Sequence, residues 1–187
     1  SANRFGRISP TDSGHVKEEL GDKVDLILEG GRSTVGIEST ILDISQKPYR
    51  ILRLGAVSKE ALEKTLGEKI ELAGSEYKVR APGMLASHYA PATTLKLVPG
   101  PTLKEQLLEY SKKTISIGVL SYHQPVLEQA NIRWLIAEEH PKTYAHELYA
   151  NLRLLDGEGH NLIIVETVPE DKEWSAIADR LQRASAK

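Results

Sequence analysis

The sequence has no cysteine among its 187 residues. Without cysteine there are no disulfides and no thiolate metal ligands, which favours a protein of a reducing compartment, the cytoplasm. The six histidines lack the HxxxH spacing of a zinc-binding helix, so the sequence predicts no metal site. No apolar run approaches the ~18–20 residues of a membrane span, and the first residues do not have the pattern of a signal peptide. We therefore expect no membrane partner.

Concentrated positive charge is missing as well. The chain has 24 Lys and Arg residues against 26 Asp and Glu residues, for a net charge of -2. They form no basic tail, block or stripe of the kind that nucleic-acid binding usually requires, so we expect at most weak contact with RNA. The composition, 40% hydrophobic and 27% charged, is that of a globular protein. The length suits one large or two small domains.

Residues 1–75 have the pattern of a mixed α/β unit. Helix starts are indicated by capping residues that precede an apolar repeat, and glycines indicate the ends. Short runs of β-branched residues indicate strands. The predicted elements are a helix over 9–20 with Ser9 as its N-cap, a strand over 24–28, a β-rich segment over 34–44, a strand over 49–54 and a helix over 58–66.

Residues 95–187 alternate strongly between apolar runs and amphipathic stretches. This alternation predicts a small parallel α/β domain, Rossmann-like in the loose sense. Its first strand-to-helix turn lacks the GxGxxG pattern, so no dinucleotide site is indicated. The predicted strands cover 95–98, 115–120, 134–136 and 162–165, and helices begin at Pro101, at Pro141 and near Trp174.

The segment between these units, residues 76–94, is predicted to be a linker of unusual composition. Pro82 and Pro91 oppose helix formation, yet the residues between them include Leu85 and Tyr89 in place of the glycine and serine of a flexible tether. Two interpretations stay open. The segment is either a linker packed on a neighbouring domain or an extended strip that covers a pocket, and in both cases we expect it to lie outside the core.

Several neutral polar groups and one arginine suggest a site in the first unit. Ser1 and Asn3 flank a glycine-containing turn, Thr11 lies near a helix N-terminus, and the run 33–40 is rich in hydroxyls. Arg53 ends a strand, where its guanidinium could bind phosphate through two hydrogen bonds. Each of these residues alone is as readily a cap, a turn residue or a solvated side chain. Together they favour a site for a polyanion and a small polar molecule.

The chemistry that such a site supports is positioning with charge stabilisation. The sequence has no GxSxG motif, no serine with an evident histidine partner and no pair of carboxylates on one helical face. Neutral donors with an arginine are typical of phosphoryl or nucleotidyl transfer, in which the protein orients the reactants and stabilises developing charge.

Four short motifs, in order along the chain, resemble those of the YrdC-domain family in its longer, two-domain form, the L-threonylcarbamoyl-AMP synthases. The resemblance implies the end of a YrdC-like domain over 1–75, a linker over 76–94 and a small α/β domain over 95–187. The motifs are SAN at 1–3 with GRISPT at 6–11, STVGIESTI at 33–41, ILRLG at 51–55, and APGM with SHYAP within 81–91.

The resemblance implies an activity and its participants. The family forms threonylcarbamoyl-AMP from L-threonine, bicarbonate and ATP, with Mg²⁺ expected alongside ATP, and the product feeds the t6A modification of tRNA through a downstream transferase machinery. Two alternatives remain at this point, a non-catalytic nucleotide- or RNA-binding module of YrdC type and a carbamoyl transferase that matures hydrogenases. The SHYAP-type linker and the C-terminal domain favour the synthase.

The resemblance also assigns ligand contacts and indicates a missing part. The N-terminal half of the family's YrdC-like domain, which carries a Lys-x-Arg motif for the phosphates, would precede Ser1 and is not part of this sequence, so we expect an incomplete and inactive fragment. The implied contacts are Asn3, Thr11, Arg53 and Tyr89 for ATP and Ser1 and Ser39 for L-threonine, with Ser33, Thr34, Thr40, Ser87 and His88 as weaker candidates.

Overall fold

A computed structural model describes residues 2–74, 77, 81–83 and 88–186. Among these residues the fold is mixed α/β with two separate sheets, one of three strands and one of four, which confirms the predicted fold class. We use "N-terminal part" for 2–74, "strip" for the described residues of 81–91, and "C-terminal part" for 95–186. The domain boundaries at 75 and 94 stay a prediction.

The N-terminal part contains two helices and the smaller sheet. Strand β2 lies in the middle, antiparallel to β1 and parallel to β3. The Ser58 hydroxyl caps α2 by accepting a hydrogen bond from the Ala61 amide, and Gly67 ends that helix in a left-handed conformation, as predicted. The elements are α1 (Ser13–Leu20), β1 (Ile41–Asp43), β2 (Arg50–Arg53), α2 (Lys59–Leu66) and β3 (Glu71–Leu72), with a 3₁₀ turn over Gly21–Lys23.

Two predictions for this part are wrong. Helix α1 begins at Ser13, because the Asp12 side chain is its N-cap and accepts a hydrogen bond from the His15 amide at 2.9 Å. The Ser9 hydroxyl instead donates to the Glu38 carboxylate. Residues 24–28 do not form a strand. Leu26 and Leu28 are 74% and 81% exposed, and no strand in the described part of the chain pairs with this segment. A strand without a neighbour has no ladder to stabilise it.

The C-terminal part is a four-stranded, entirely parallel sheet in the order β4-β7-β5-β6. Strands β5 and β7 are buried along their whole length, as expected for strands covered by helices on both faces. The strand–helix alternation predicted this architecture correctly. Its elements are β4 (Leu95–Val98), α3 (Gly100–Ser111), β5 (Ile117–Ser121), β6 (Ile132–Ile136), α4 (Pro141–Gly157), β7 (Leu162–Glu166) and α5 (Ser175–Ser185), with a 3₁₀ turn over Lys172–Trp174.

The main hydrophobic core extends from the C-terminal sheet into the N-terminal part and the strip. Ile8 and Tyr89 are buried in the same cluster as Leu148, Tyr149 and Ile177, which come from α4 and α5. The expectation that the strip lies outside the core is therefore wrong at Tyr89, which is only 2% exposed. None of the helices described has the length and apolar character needed to cross a membrane.

Candidate active site

The strip is fixed to both parts of the molecule by backbone hydrogen bonds. The Ala90 amide donates to the Gly6 carbonyl at 2.9 Å, and Arg7 and Ala90 form a parallel bridge. On the other side, the His88 amide donates to the carbonyl of Arg183 on α5 at 3.2 Å. Asn3 stabilises the turn beneath the strip by donating its side-chain amide to the Arg7 carbonyl at 3.0 Å. The strip is thus packed on its neighbours, as one of the two interpretations expected.

Arg53, at the end of β2, joins the strip to the hydroxyl-rich run. Its Nε and Nη2 atoms donate to the Ser39 carbonyl at 3.1 and 2.9 Å, and Nη1 donates to the Pro82 carbonyl at 3.0 Å. The Tyr89 hydroxyl lies 3.5 Å from Nη1. Arg53 is only 9% exposed, and no ion pair found among the described residues includes it. Among the described residues its positive charge is therefore stabilised by carbonyl and hydroxyl dipoles, an arrangement suited to an anionic ligand.

Tyr89 occupies a constrained position in the site. Its φ of 60° lies in the left-handed region, which is unusual for a residue other than glycine. The ring stacks on Tyr149 with 5.8 Å between centroids, and the guanidinium carbon of Arg180 lies 5.1 Å from its centre. Gly83 makes room for the hydroxyl, because a Cβ atom at that position would overlap it. The backbone of the strip therefore dictates where the Tyr89 side chain lies.

Burial sets the protonation states of the two aromatic side chains of the strip. Burial raises the pKa of the Tyr89 phenol, so this group stays protonated near neutral pH. Burial, together with the nearby Arg183, Arg180 and Arg53 charges, lowers the pKa of His88 against the opposing effect of Glu38. The buried Nδ1 atom of His88 makes no hydrogen bond with any described residue. A neutral histidine with an unused nitrogen can accept or donate a hydrogen bond to a ligand.

Glu38 lies at the junction of the N-terminal part, α4 and α5. One carboxylate oxygen accepts the Ser9 hydroxyl at 2.5 Å, and the other accepts the Tyr149 hydroxyl and Arg180 Nε, both at 2.8 Å. Burial alone would raise the pKa of Glu38, but the Ser9 hydrogen bond and the charge and hydrogen bond of Arg180 outweigh it and hold the pKa below the ordinary value. Glu38 is therefore an ionised, fully bonded carboxylate directly before Ser39.

The structure brings some of the predicted site residues together and leaves others apart. Ser39 is exposed, with its hydroxyl 3.4 Å from Arg53 Nη2, so Ser39, Arg53, His88 and Tyr89 form one cluster. The Thr11 hydroxyl is within 3.1 Å of a ring nitrogen of His15, and the Thr11 carbonyl accepts the Ser33 amide at 2.7 Å.

The other candidates are engaged away from this cluster or lie outside the described residues. The Thr34 carbonyl contacts His146 on α4 at 3.2 Å. The Thr40 hydroxyl donates to the Val57 carbonyl at 2.6 Å. Ser1 and Ser87 lie outside the described residues. The assignment of ATP and L-threonine to particular residues stays a prediction.

Sequence reasoning missed two residues of the site, Glu38 and Arg180. Glu38 was part of a motif that drew attention for its hydroxyls. Arg180 lies between Ile177 and Leu181 on the buried face of α5, and its side chain is 0% exposed. A charged residue on the apolar face of a helix is a signal that the sequence does contain, because such a residue requires a buried partner.

Comparison with known proteins identifies the family. Residues 57–186 match the family model described as threonylcarbamoyl-AMP synthase, C-terminal domain. The chain belongs to this family. Residues 1–55 match a second model, described as telomere recombination, which covers the Sua5, YciO and YrdC proteins. The two matches meet between β2 and α2 and together account for nearly the whole of this Sua5-type chain.

Curated relatives are similar to the chain over nearly its full length. The threonylcarbamoyl-AMP synthase of Pyrococcus abyssi is 31% identical over 196 residues, which cover 99% of this chain and 56% of the relative. The enzyme of Bacillus subtilis is 31% identical over 192 residues, with the same two coverages. The chain therefore spans about half the length of the curated relatives it matches.

Two solved structures of P. abyssi Sua5 have the same fold. The complex with L-threonine superposes with a TM-score of 0.85 at 29% identity, covering 99% of this chain and 56% of that chain. The other structure is of a variant in which a histidine and the tyrosine after it are replaced by alanine. It superposes with a TM-score of 0.84 at 27% identity, covering 99% of this chain and 55% of that chain.

Proposed function

We propose that this chain provides part of the active site of a threonylcarbamoyl-AMP synthase, which condenses L-threonine, bicarbonate and ATP and releases pyrophosphate. The observation that carries the proposal is the cluster of Arg53, Ser39, His88 and Tyr89, built from three of the four family motifs. It combines a buried guanidinium that forms no ion pair with a described residue, an exposed hydroxyl and a histidine nitrogen that bonds to none of the described residues.

Each of these groups suits one part of the reaction. In the proposed chemistry L-threonine and bicarbonate form a carbamate with loss of water. A carbamate oxygen then attacks the α-phosphorus of ATP, and the bond from that phosphorus to the departing pyrophosphate breaks. Arg53 would offset the negative charge that the phosphates bring, while Ser39 and Asn3 would hydrogen-bond the polar groups of the substrates. Tyr89 and His88 would exclude water, which would otherwise hydrolyse the carbamate and the mixed anhydride.

Mg²⁺ is expected alongside ATP, and it is usually bound through one or two carboxylates and the phosphates of the substrate. Within the described ranges no three His, Asp or Glu side chains converge as metal ligands would. We therefore assign no residue of this chain to the metal and derive no step from it. We further propose that the enzyme works in the cytoplasm and supplies its product to the machinery that modifies tRNA.

The proposal is tested by measuring pyrophosphate release in a longer form of the protein whose YrdC-type domain is complete. We expect release that requires both L-threonine and bicarbonate, with threonylcarbamoyl-AMP as the second product. A non-catalytic nucleotide-binding module of YrdC type would bind ATP but release no pyrophosphate under these conditions, and that result would overturn the proposal.

A further inference from the structure

We propose that Arg180 and Tyr149, both from the C-terminal part, are positioning residues that hold the hydroxyl-rich run, the end of β2 and the strip in one arrangement. This inference rests on the proposed function, because it gives the C-terminal part a role in that reaction. Neither side chain needs to touch a substrate. Both would act through Glu38, which precedes Ser39, and Arg180 would also act through Leu54, which follows Arg53.

The contacts of Arg180 reach all three segments from one side chain. Nε donates to the Glu38 carboxylate at 2.8 Å, and Nη2 donates to the Leu54 carbonyl at 2.7 Å. The face of the guanidinium lies over the Tyr89 ring at 5.1 Å. Nη1 is paired with Asp179 on the same helix at 2.6 Å, which restricts the orientation of the group. The contacts with Glu38, Leu54 and Tyr89 therefore each involve a different segment, and the pair with Asp179 holds the guanidinium in place on α5.

The segments that Arg180 joins are already packed against one another. A Cβ atom on Gly55 would overlap the backbone of Ser39 and Thr40, so the end of β2 lies directly on the hydroxyl-rich run. Arg53 donates to the Ser39 carbonyl across the same contact. Arg180 binds both of these segments, through Glu38 in the hydroxyl-rich run and through Leu54 after the end of β2.

Arginine is required here because of its planar fork. Lysine at position 180 would keep the charge and could still pair with Glu38. Its ammonium group could not at the same time donate in the plane to Leu54, pair with Asp179 and stack on Tyr89. An Arg180→Lys substitution should therefore keep the fold and the ion pair, and should release the end of β2 and the strip.

Arg153 on α4 provides a matched control. Its side chain is 12% exposed, and it too crosses from the C-terminal to the N-terminal part, where it contacts the Ile8 and Ser9 carbonyls and the Glu19 carboxylate. The structure gives it no contact with Glu38, Leu54 or Tyr89. Arg153→Lys thus measures the effect of loosening the contact between the two parts without releasing the segments that Arg180 holds.

The first experiment is amide hydrogen exchange on the 187-residue chain. We expect Arg180→Lys to accelerate exchange at 53–55 and 88–90 by about tenfold or more, the effect of losing charge-assisted hydrogen bonds, with a smaller acceleration at 38–40 because the pair with Glu38 is kept. Arg153→Lys should accelerate exchange near 8–11 and leave those three segments unchanged. Equal acceleration throughout the chain in both variants would overturn the inference.

The second experiment uses the longer, active form and separates positioning from stability. Arg180→Lys should raise the KM for L-threonine about tenfold or more, whereas Arg153→Lys should change it less than about twofold at a similar loss of thermal stability. Equal KM values in the two variants would overturn the positioning role. If the wild-type longer form shows no threonine-dependent turnover, the proposed function fails, and the exchange experiment still decides the inference.

Tyr149→Phe provides an independent check that does not change charge or remove the ring. It deletes one hydrogen bond to Glu38 and keeps the stacking on Tyr89. We expect faster exchange at 38–40 alone, without an effect at 53–55. Unchanged exchange at 38–40 would show that Glu38 is not held from α4 and would count against the inference.

Discussion

At the scale of single residues, Arg53 is the side chain whose surroundings say most about function. An arginine at the end of a strand is ordinarily solvated, but this one is 9% exposed and is bonded to two carbonyl groups, with a tyrosine hydroxyl nearby. Burying a guanidinium without a counter-ion is unfavourable. A buried charge of this kind is stabilised when an anionic ligand binds beside it, and in the proposed function that ligand is a phosphate of ATP.

Two substitutions of Arg53 should distinguish the effect of its charge on catalysis from the effect of its planar geometry. In the longer form, Arg53→Ala should lower kcat/KM for ATP by roughly 100-fold, the usual effect of removing one donor that stabilises developing charge. Arg53→Lys should restore only part of this loss, because an ammonium group cannot donate to the Ser39 and Pro82 carbonyls as the fork does. Steady-state kinetics with ATP as the varied substrate provide the measurement. Wild-type kinetics in both variants would contradict the role of Arg53.

Tyr89 should matter both for the fold and for the coupling of the reaction. Because Tyr89 is part of the core, Tyr89→Ala should lower the free energy of unfolding by roughly 3–5 kcal/mol, the range seen for other large aromatic side chains. Tyr89→Phe keeps the ring and removes the hydroxyl beside Arg53, so the fold should survive while more ATP is consumed per product recovered. Denaturant unfolding and the ratio of ATP consumed to product test the two statements. A wild-type ratio of ATP consumed to product in Tyr89→Phe would show that the Tyr89 hydroxyl does not contribute to this coupling.

The sequence was a good guide to some residues of the site and not to others. The glycine, hydroxyl and arginine motifs indicated the cluster around Arg53, because each lies at the end of a strand or in a turn that the sequence itself predicts. Glu38 and Arg180 were missed because they are 142 residues apart. Sequence spacing predicts side-chain contacts only within one helix or strand. The contact between Glu38 and Arg180 depends instead on how α5 packs against the N-terminal part.

At the scale of elements, the contrast between the two sheets explains which predictions were correct. Strands β5 and β7 are buried on both sides by elements of their own part, so their continuous apolar runs identified them. Residues 24–28 have a similar apolar run but no neighbouring strand among the described residues, and they stay irregular. The local sequence pattern therefore indicates that a segment is able to form a strand. Whether the strand forms depends on a neighbouring strand with which it can pair.

The contact between α4, α5 and the N-terminal part should weaken in acid. The pKa of Glu38 in the folded protein lies below its ordinary value of 4.5. Stabilisation from a lowered pKa is present above that ordinary value and is lost as the pH falls through the folded-state value. We expect thermal stability to fall as the pH decreases below about 4.5. Glu38→Gln should be less stable at neutral pH and should lose part of this acid dependence.

The matched control for the acid prediction is Glu105→Gln on the exposed face of α3, which should leave the profile of melting temperature against pH unchanged. If Glu38→Gln and wild type lose stability in parallel between pH 7 and the acid limit of folding, the network around Glu38 is not the origin of the acid dependence.

At the scale of the whole molecule, the two parts differ in how well their apolar side chains are covered. Phe5, Leu26 and Leu28 are each at least 74% exposed, whereas the C-terminal core is closed. Leu26 and Leu28 are close in sequence, and exposed apolar side chains that adjoin one another are typical of a surface that another polypeptide segment covers. The length difference from the relatives, about half, is consistent with such a segment.

We therefore predict that the 187 residues alone fold but release no pyrophosphate in the presence of ATP, L-threonine and bicarbonate. The guanidinium of Arg53 cannot by itself offset the charge of a triphosphate, so we expect further cationic groups from the part of the longer form that this chain does not span. The same chain should bind a hydrophobic dye such as ANS through the surface around Leu26 and Leu28, and Leu26→Ser with Leu28→Ser should reduce that binding. The longer form should show turnover and little dye binding. Threonine-dependent pyrophosphate release by the 187-residue chain would show that its own residues suffice for catalysis.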